Sequence, residues 1–309
     1  MSSHLSVATD VTKVIHRTEY ATISPSRPEL SQAGKTVLVT GGSAGIGFAI
    51  AQAFVRAAAA TVIIVGRRRD VLDKARAELE AQAGQQQTAI IAENVDVVDR
   101  AGVKALWEGL AARGVVVDVL VLNSAKFTEA GPLLELGVDE VWSQFEANVR
   151  GPLDFAERFY KQKGDSTKFL VNVSTQAINL FYDSQLPVAA ERPAYSLTKN
   201  AGTLTAQLIA NGASPDKLQV VSYHPGVIYS NAWKLAGAPA DALPFDDATL
   251  PGAFAVWAAS KEARFLHGRF VWASWDVNEL ATGEIRKRID EDENYLRIGV
   301  VGLKGSFKA

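Results

Sequence analysis

The sequence predicts one doubly wound α/β domain, a mostly parallel seven-stranded sheet with helices on both faces. Three observations carry this. Short β-branched runs alternate with longer stretches of helical spacing; most of the runs are apolar on both sides; and no Gly/Ser/Pro linker or internal repeat interrupts the series. The strand-like runs are 36–40, 61–65, 88–92, 115–122, 169–173, 218–224 and 269–272. The helical stretches are 45–58, 69–83, 99–113, 138–161, 195–211 and 250–264, which makes successive right-handed βαβ units the economical reading. Residues 1–34 are polar, contain Pro25 and Pro28 and lack periodicity, so they are expected to form a leading arm on the surface or over a neighbour, ahead of a domain spanning 35–309. Segments 176–194 and 230–249 fall outside the alternation. Both follow strand ends, where open parallel sheets bind ligands, and so are expected on the substrate side. The apolar tail 296–303 fits either an interface or the chain's own sheet. The acidic run 290–293 reads as a solvated face.

Composition narrows the function. With 309 residues, 48% hydrophobic and 21% charged, the chain can bury a sizeable core. A net charge of −2 gives no basic surplus for nucleic acid or an anionic membrane, and no apolar run is long enough to span one. The absence of cysteine excludes disulfides, thiolate metal sites and a cysteine nucleophile. The four histidines are scattered, so no metal site is expected, and His224, ending a core strand, reads as a structural or pocket residue. A polar, acidic start without a basic-then-apolar layout fits a cytoplasmic setting.

The first run leads directly into Gly41-Gly42-Ser43-Ala44-Gly45-Ile46-Gly47 and then into a helical stretch. Gly41 can take backbone angles closed to other residues, Gly45 lets a pyrophosphate approach the backbone, and Gly47 lets helix and strand pack closely. N–H groups at the helix start, with its dipole, attract phosphate. A glycine-rich turn alone is a common feature. Placed between the first strand and the first helix it indicates a dinucleotide site, and hence a Rossmann-type sheet. The second run ends Val65-Gly66-Arg67-Arg68-Arg69, without the carboxylate that would bind the 2′-hydroxyl of NAD. Guanidinium groups suit a 2′-phosphate, so NADP(H) is expected, with Arg67 and also Arg68 on that phosphate.

Tyr195 and Lys199 stand four apart at the start of a helical stretch and share a face. A phenol is a poor acid–base at neutral pH, and a neighbouring ammonium is expected to lower its pKa. Tyr195 would then donate a proton to a carbonyl or accept one from an alcohol.

Taken with the glycine turn, this pair makes the sequence resemble the short-chain dehydrogenase/reductase family from about Lys35 to about Ser230. The resemblance implies a nucleotide site built from Gly41, Ser43, Gly45, Ile46 and Gly47, with Asp96-Val97 beside the adenine. The family's Asn-Asn-Ala-Gly stretch is altered here to Leu122-Asn123-Ser124-Ala125, which keeps Asn123 alone. Pro225-Gly226, followed by Val227, Ile228 and Ser230, is the match for the segment that lines the nicotinamide carboxamide. The implied catalytic set is Asn148 (holding a proton-relay water), Tyr195, Lys199 (also bonding the nicotinamide ribose) and a hydroxyl that orients the substrate carbonyl. That hydroxyl is Thr175 if read against the family pattern, with Ser174 the alternative. The gap from Thr175 to Tyr195 is longer than usual and carries Leu180, Phe181, Tyr182, Leu186 and Pro187, which are expected to wall a pocket for a bulky, partly apolar small molecule. The implied activity is NADP(H)-dependent carbonyl–alcohol interconversion. Two other classes stay open: a redox-neutral enzyme on the same scaffold (epimerase, dehydratase or cyclase) and a non-catalytic NADP-sensing protein. Wording near residues 20–42 and 195–204 resembles fungal members of the family, many of which act in secondary metabolism, and relatives are often dimers or tetramers.

Overall fold

A computed structural model describes residues 11–84, 87–127, 130–164, 166–179, 192–229 and 239–300. Its seven strands form one sheet in the order β3-β2-β1-β4-β5-β6-β7, every neighbouring pair parallel. They are β1 (Thr36–Thr40), β2 (Thr61–Gly66), β3 (Ala89–Asn94), β4 (Val119–Leu122), β5 (Lys168–Val173), β6 (Leu218–His224) and β7 (Arg269–Trp272). Two apolar layers cover the sheet. One runs through Val37, Val39, Ile64, Val171 and Tyr223, and the other through Leu38, Ile63, Leu120 and Leu170. Both sides of each central strand are therefore buried, the physical cause of the unbroken apolar runs.

The longer helices among the described residues are α1 (Gly45–Arg56), α2 (Arg69–Ala83), α3 (Arg100–Ala112), α4 (Val138–Phe145), α5 (Gly151–Lys161), α6 (Pro193–Asn211), α7 (Thr249–Ala258) and α8 (Gly283–Glu291). Several boundaries differ from the sequence expectation for local reasons. The fourth strand begins at Val119 rather than 115, because the Val115 N–H closes the end of α3 onto Leu110 and the Val117 N–H donates to Gln162. The stretch 138–161 is interrupted by a π-helical turn, Glu146–Arg150, where the Gly151 N–H returns to the Glu146 carbonyl five residues back. The stretch 250–264 divides at Ser260, whose hydroxyl caps Glu262 and starts a separate 3₁₀ segment. α6 begins two residues earlier than expected, with Pro193 in its first turn, where a missing N–H costs nothing.

The segment ahead of β1 is not confined to the surface. Ile23 and Leu30 are fully buried, each contributing about 1.5–3 kcal/mol of apolar transfer. Glu19 binds Arg56 at the end of α1 through both oxygens, at 2.6 and 2.8 Å. Tyr20 accepts the Val277 N–H at 3.0 Å, and His16 meets Asp276 at 2.8 Å. At the far edge, the Phe270 N–H of β7 donates to the Leu296 carbonyl, so the described part of the apolar tail closes on this chain's own sheet edge. In the acidic run, Asp290 and Asp292 pair with Arg286 and Arg288 one turn back.

Candidate active site

The strand order reverses direction of growth between β1 and β4, which opens a crevice beyond the carboxyl ends of the strands. Most of the motifs singled out in the sequence leave a strand at that edge, while Asn148, Tyr195 and Lys199 come from helical segments. The glycine turn follows β1, Arg67 follows β2, Asp96 follows β3, Asn123 follows β4, Ser174 and Thr175 follow β5, and Pro225 follows β6.

At the glycine turn, Gly41 has φ +67° and Gly45 φ +54°, and nothing lies within 4 Å of where a Gly45 Cβ would project. A Cβ on Gly47 would instead fall 2.2 Å from the Gly41 carbonyl oxygen, so α1 can start against the turn only with glycine there. No side chain caps α1, leaving the amides of its first turn, including those of Ile46 and Gly47, free to receive an anion. Ser43 lies under β2, its Oγ 3.1 Å from a Cβ on Gly66. Asn123 anchors the turn from the next strand: its N–H donates to Thr40 Oγ1 at 2.9 Å and its Nδ2 to the Thr40 carbonyl at 3.0 Å. Thr40, which opens the glycine turn, is thus the pin between β1 and β4.

Beyond β2, the Arg67 side chain is 75% exposed, with Nη1 3.8 Å from Asp96 Oδ2. Arg68 is also exposed and starts α2 without making a side-chain cap. Asp96 Oδ1 accepts the Val98 N–H at 3.1 Å, which shapes the loop after β3. A Cβ on Gly151 would sit 2.7 Å from the Val97 carbonyl, so the start of α5 presses on that loop. The open glycine turn, the uncapped helix and the exposed guanidinium groups fit a phosphorylated dinucleotide.

On the other side of the crevice, α6 presents Tyr195 and Lys199 together. Burial pushes the Tyr195 phenol up to about 12, with the Thr175 hydroxyl hydrogen-bonded to it and pulling the other way. Burial pushes Lys199 down to about 8, and its Nζ donates to the Val173 carbonyl at 2.6 Å. This corrects the expectation that the ammonium lowers the phenol pKa: desolvation outweighs it, and Lys199 spends a hydrogen bond on the end of β5. Ser174 and Thr175 point apart. Ser174 Oγ lies 2.5 Å from Thr203 Oγ1, buried against α6, while Thr175 faces Tyr195 and caps the 3₁₀ turn Gln176–Ile178.

Asn148 sits in the π turn, buried, with its amide fully engaged. Oδ1 accepts the Lys126 N–H at 2.7 Å, while Nδ2 donates to the Lys126 carbonyl and to Thr198 Oγ1, each at 3.0 Å. A relay water would therefore have to use its main-chain carbonyl, which faces Gly202, where a Cβ would come within 2.7 Å. Phe127, missed from sequence, packs edge-on against Tyr195 with ring centroids 4.7 Å apart, and the Arg192 guanidinium lies 4.5 Å from its ring centroid. Arg192 and Tyr195 are neighbours at the start of α6, but Phe127 reaches them from the loop after β4, so no spacing rule could have found that contact. Pro225 and Gly226 are buried, and the loop they begin is held by Asp246. His224 is buried neutral, pushed down to about 3 by desolvation, with its ring edge-on to Trp272. The whole wall 180–187 and residues 230–238 of segment 230–249, Ser230 among them, lie outside the described residues.

The chain is similar to several known proteins. The short chain dehydrogenase family model matches residues 35–239. A short chain dehydrogenase/reductase of Aspergillus aculeatus, AacuD, is 35% identical over 290 residues, covering 94% of this chain and 96% of that protein. One from Claviceps purpurea is 35% identical over 292 residues, covering 94% of each. Among solved structures, L-sorbose reductase from Gluconobacter frateurii, complexed with NADPH and L-sorbose, superposes with a TM-score of 0.67 at 22% identity, over 79% of this chain and 96% of that one. Pseudomonas aeruginosa RhlG, in a complex with NADP, gives 0.68 at 21% identity, over 80% and 97%. Among the described residues no helix is long and apolar enough to cross a membrane. The chain belongs to the short-chain dehydrogenase/reductase family of oxidoreductases.

Proposed function

We propose that the protein is an NADP(H)-dependent oxidoreductase that interconverts a carbonyl and an alcohol on a bulky, partly apolar small molecule. The observation that carries this reading is the placing of Thr175, at the end of β5, beside Tyr195 and one helical turn from Lys199, across the crevice from an open glycine turn. The reduced nicotinamide supplies the hydride, the chemistry a protein cannot provide itself. The amides at the start of α1 hold the pyrophosphate, Arg67 and Arg68 the 2′-phosphate, Asp96 and Val97 flank the adenine, and residues 225–230 receive the carboxamide.

At the reacting end, Thr175 and Tyr195 donate hydrogen bonds to the carbonyl oxygen, and Tyr195 gives up its proton as charge builds there. A phenol held near 12 stays protonated at neutral pH, the form that reduction requires. Lys199 positions the nicotinamide ribose. Asn148 supports a water on its main-chain carbonyl, from which Tyr195 regains a proton. Phe127, 44% exposed beside Tyr195, offers an aromatic platform to an apolar substrate. The proposed setting is cytoplasmic and, by likeness to its fungal relatives, secondary metabolism. A dimer or tetramer would cover the apolar faces of α4–α6, where Trp142, Leu153, Tyr160, Leu197 and Leu208 are exposed.

The test is titration with NADPH and NADH by nicotinamide fluorescence, followed by a panel of ketones and aldehydes monitored by NADPH absorbance. NADPH-preferring binding with turnover supports the reading. Tight binding with product formed but no net NADPH loss favours a redox-neutral reaction, and binding without any reaction favours a sensing protein.

A further inference from the structure

The segment ahead of β1 reaches the crevice through one side chain. Arg17 Nη1 donates to the Pro244 carbonyl at 2.6 Å and to Asp246 Oδ1 at 3.2 Å. The other carboxylate oxygen, Oδ2, accepts the Val227 N–H at 2.8 Å, and the Asp246 N–H donates to the Val227 carbonyl at 2.9 Å. Ile228 and Asp246 form a short parallel bridge. Gly226 has φ +96°, and a Cβ on it would strike Asp246 Oδ2 at 2.6 Å, so the carboxylate fills the space a side chain would need. The Asp247 N–H returns to the Arg17 carbonyl at 2.7 Å and closes the circuit.

The Asp246 side chain is only 10% exposed, and it links a guanidinium to the backbone of the loop after β6. The Arg17 side chain is 56% exposed, and its charge-assisted bond orients the nearly buried carboxylate onto the loop backbone. Residues 225–228 lie beyond the β6–β7 ladder, and among the described residues their hydrogen bonds are to Asp246.

We propose that Arg17 and Asp246 are positioning residues for the nicotinamide half of the cofactor: their ion pair holds residues 225–228 in the shape that receives it. This rests on the reading of 225–228 as the nicotinamide loop. The segment ahead of β1 thereby contributes to cofactor affinity through the loop. If the unclamped loop holds the receptive shape about a tenth of the time, apparent affinity falls about tenfold.

The experiment uses the full chain and two ligands, NADP⁺ and 2′-phospho-ADP-ribose, which lacks the nicotinamide, both titrated by calorimetry. Arg17→Ala and Asp246→Asn are each expected to weaken NADP⁺ about tenfold and leave 2′-phospho-ADP-ribose unchanged. The double variant should be no worse than either single one, because both act through one contact. Arg17→Lys, which restores a cation, should recover most of the loss. Asp246→Asn keeps an acceptor for Val227 and is the variant to read if Arg17→Ala does not fold. Unchanged NADP⁺ affinity, or an equal loss for both ligands, would overturn the proposal, since a purely structural role makes no distinction between them. A parent chain that binds neither ligand removes the cofactor reading itself, and the clamp with it.

Discussion

Ser174 Oγ lies 2.5 Å from Thr203 Oγ1, locked between β5 and α6, and its neighbour Thr175 is left facing Tyr195. Adjacent residues at the end of a strand point to opposite sides, so only one of these hydroxyls can serve the crevice. Thr175→Ala is expected to reduce kcat at least tenfold with little change in melting temperature. Ser174→Ala should do the reverse, costing about 1 kcal/mol of stability and sparing turnover. Steady-state kinetics and thermal melts of the two variants separate the roles. An inactive, fully stable Ser174→Ala would invert the assignment.

The pH dependence follows from Tyr195. Its pKa is raised to about 12, so the protonated form needed for reduction is fully present at neutral pH, while the phenolate needed for oxidation is scarce. Alcohol oxidation should therefore climb roughly tenfold per pH unit from about pH 7. Carbonyl reduction should stay level until Lys199 loses its proton near 8. Tyr195→Phe should lower both by roughly a hundredfold or more while leaving cofactor affinity intact. An oxidation rate that is flat with pH would show that the phenol titrates far below its position here.

Under the proposed function, cofactor choice should depend on an exposed side chain. Arg67 stands at the end of β2, 3.8 Å from its nearest carboxylate, and is free to turn to a phosphate. Replacing it with alanine should weaken NADPH about tenfold and leave NADH unchanged, and added salt should weaken NADPH more than NADH. Fluorescence titration at two ionic strengths reads both effects. Equal losses for the two cofactors would move the 2′-phosphate contact elsewhere.

Acid stability should carry a signature of His224. Its folded pKa, pushed down to about 3 by burial, lies below the unfolded value of about 6.5. The neutral ring's contribution is therefore complete above about pH 6.5 and is lost as the pH falls toward 3, at about 1.4 kcal/mol per pH unit. His224→Phe, which keeps an aromatic against Trp272, should flatten stability between about pH 6 and pH 4 in denaturant melts. A parallel slope in both proteins would place the acid sensitivity in other groups.

The amino-acid order was enough to set out the succession of strands and helices along the chain, because hydrophobic periodicity is a local property and both faces of this sheet are buried. It determined the glycine turn, since Gly41 and Gly47 answer to backbone sterics within a few residues, and it placed Tyr195 and Lys199 on one helix face. Tertiary structure decided what depends on distant residues meeting. The side to which Ser174 turns is set by Thr203, and the partner of the Asn148 side chain is Lys126 in the loop after β4. The phenol pKa was misjudged from spacing alone: a charge four residues away is visible in a sequence, but the desolvation that outweighs it is produced by the whole fold. Phe127, Arg192 and the Arg17–Asp246 pair were invisible for the same reason. Their partners lie far along the chain, and no local pattern records a contact that exists only after the sheet has closed around them.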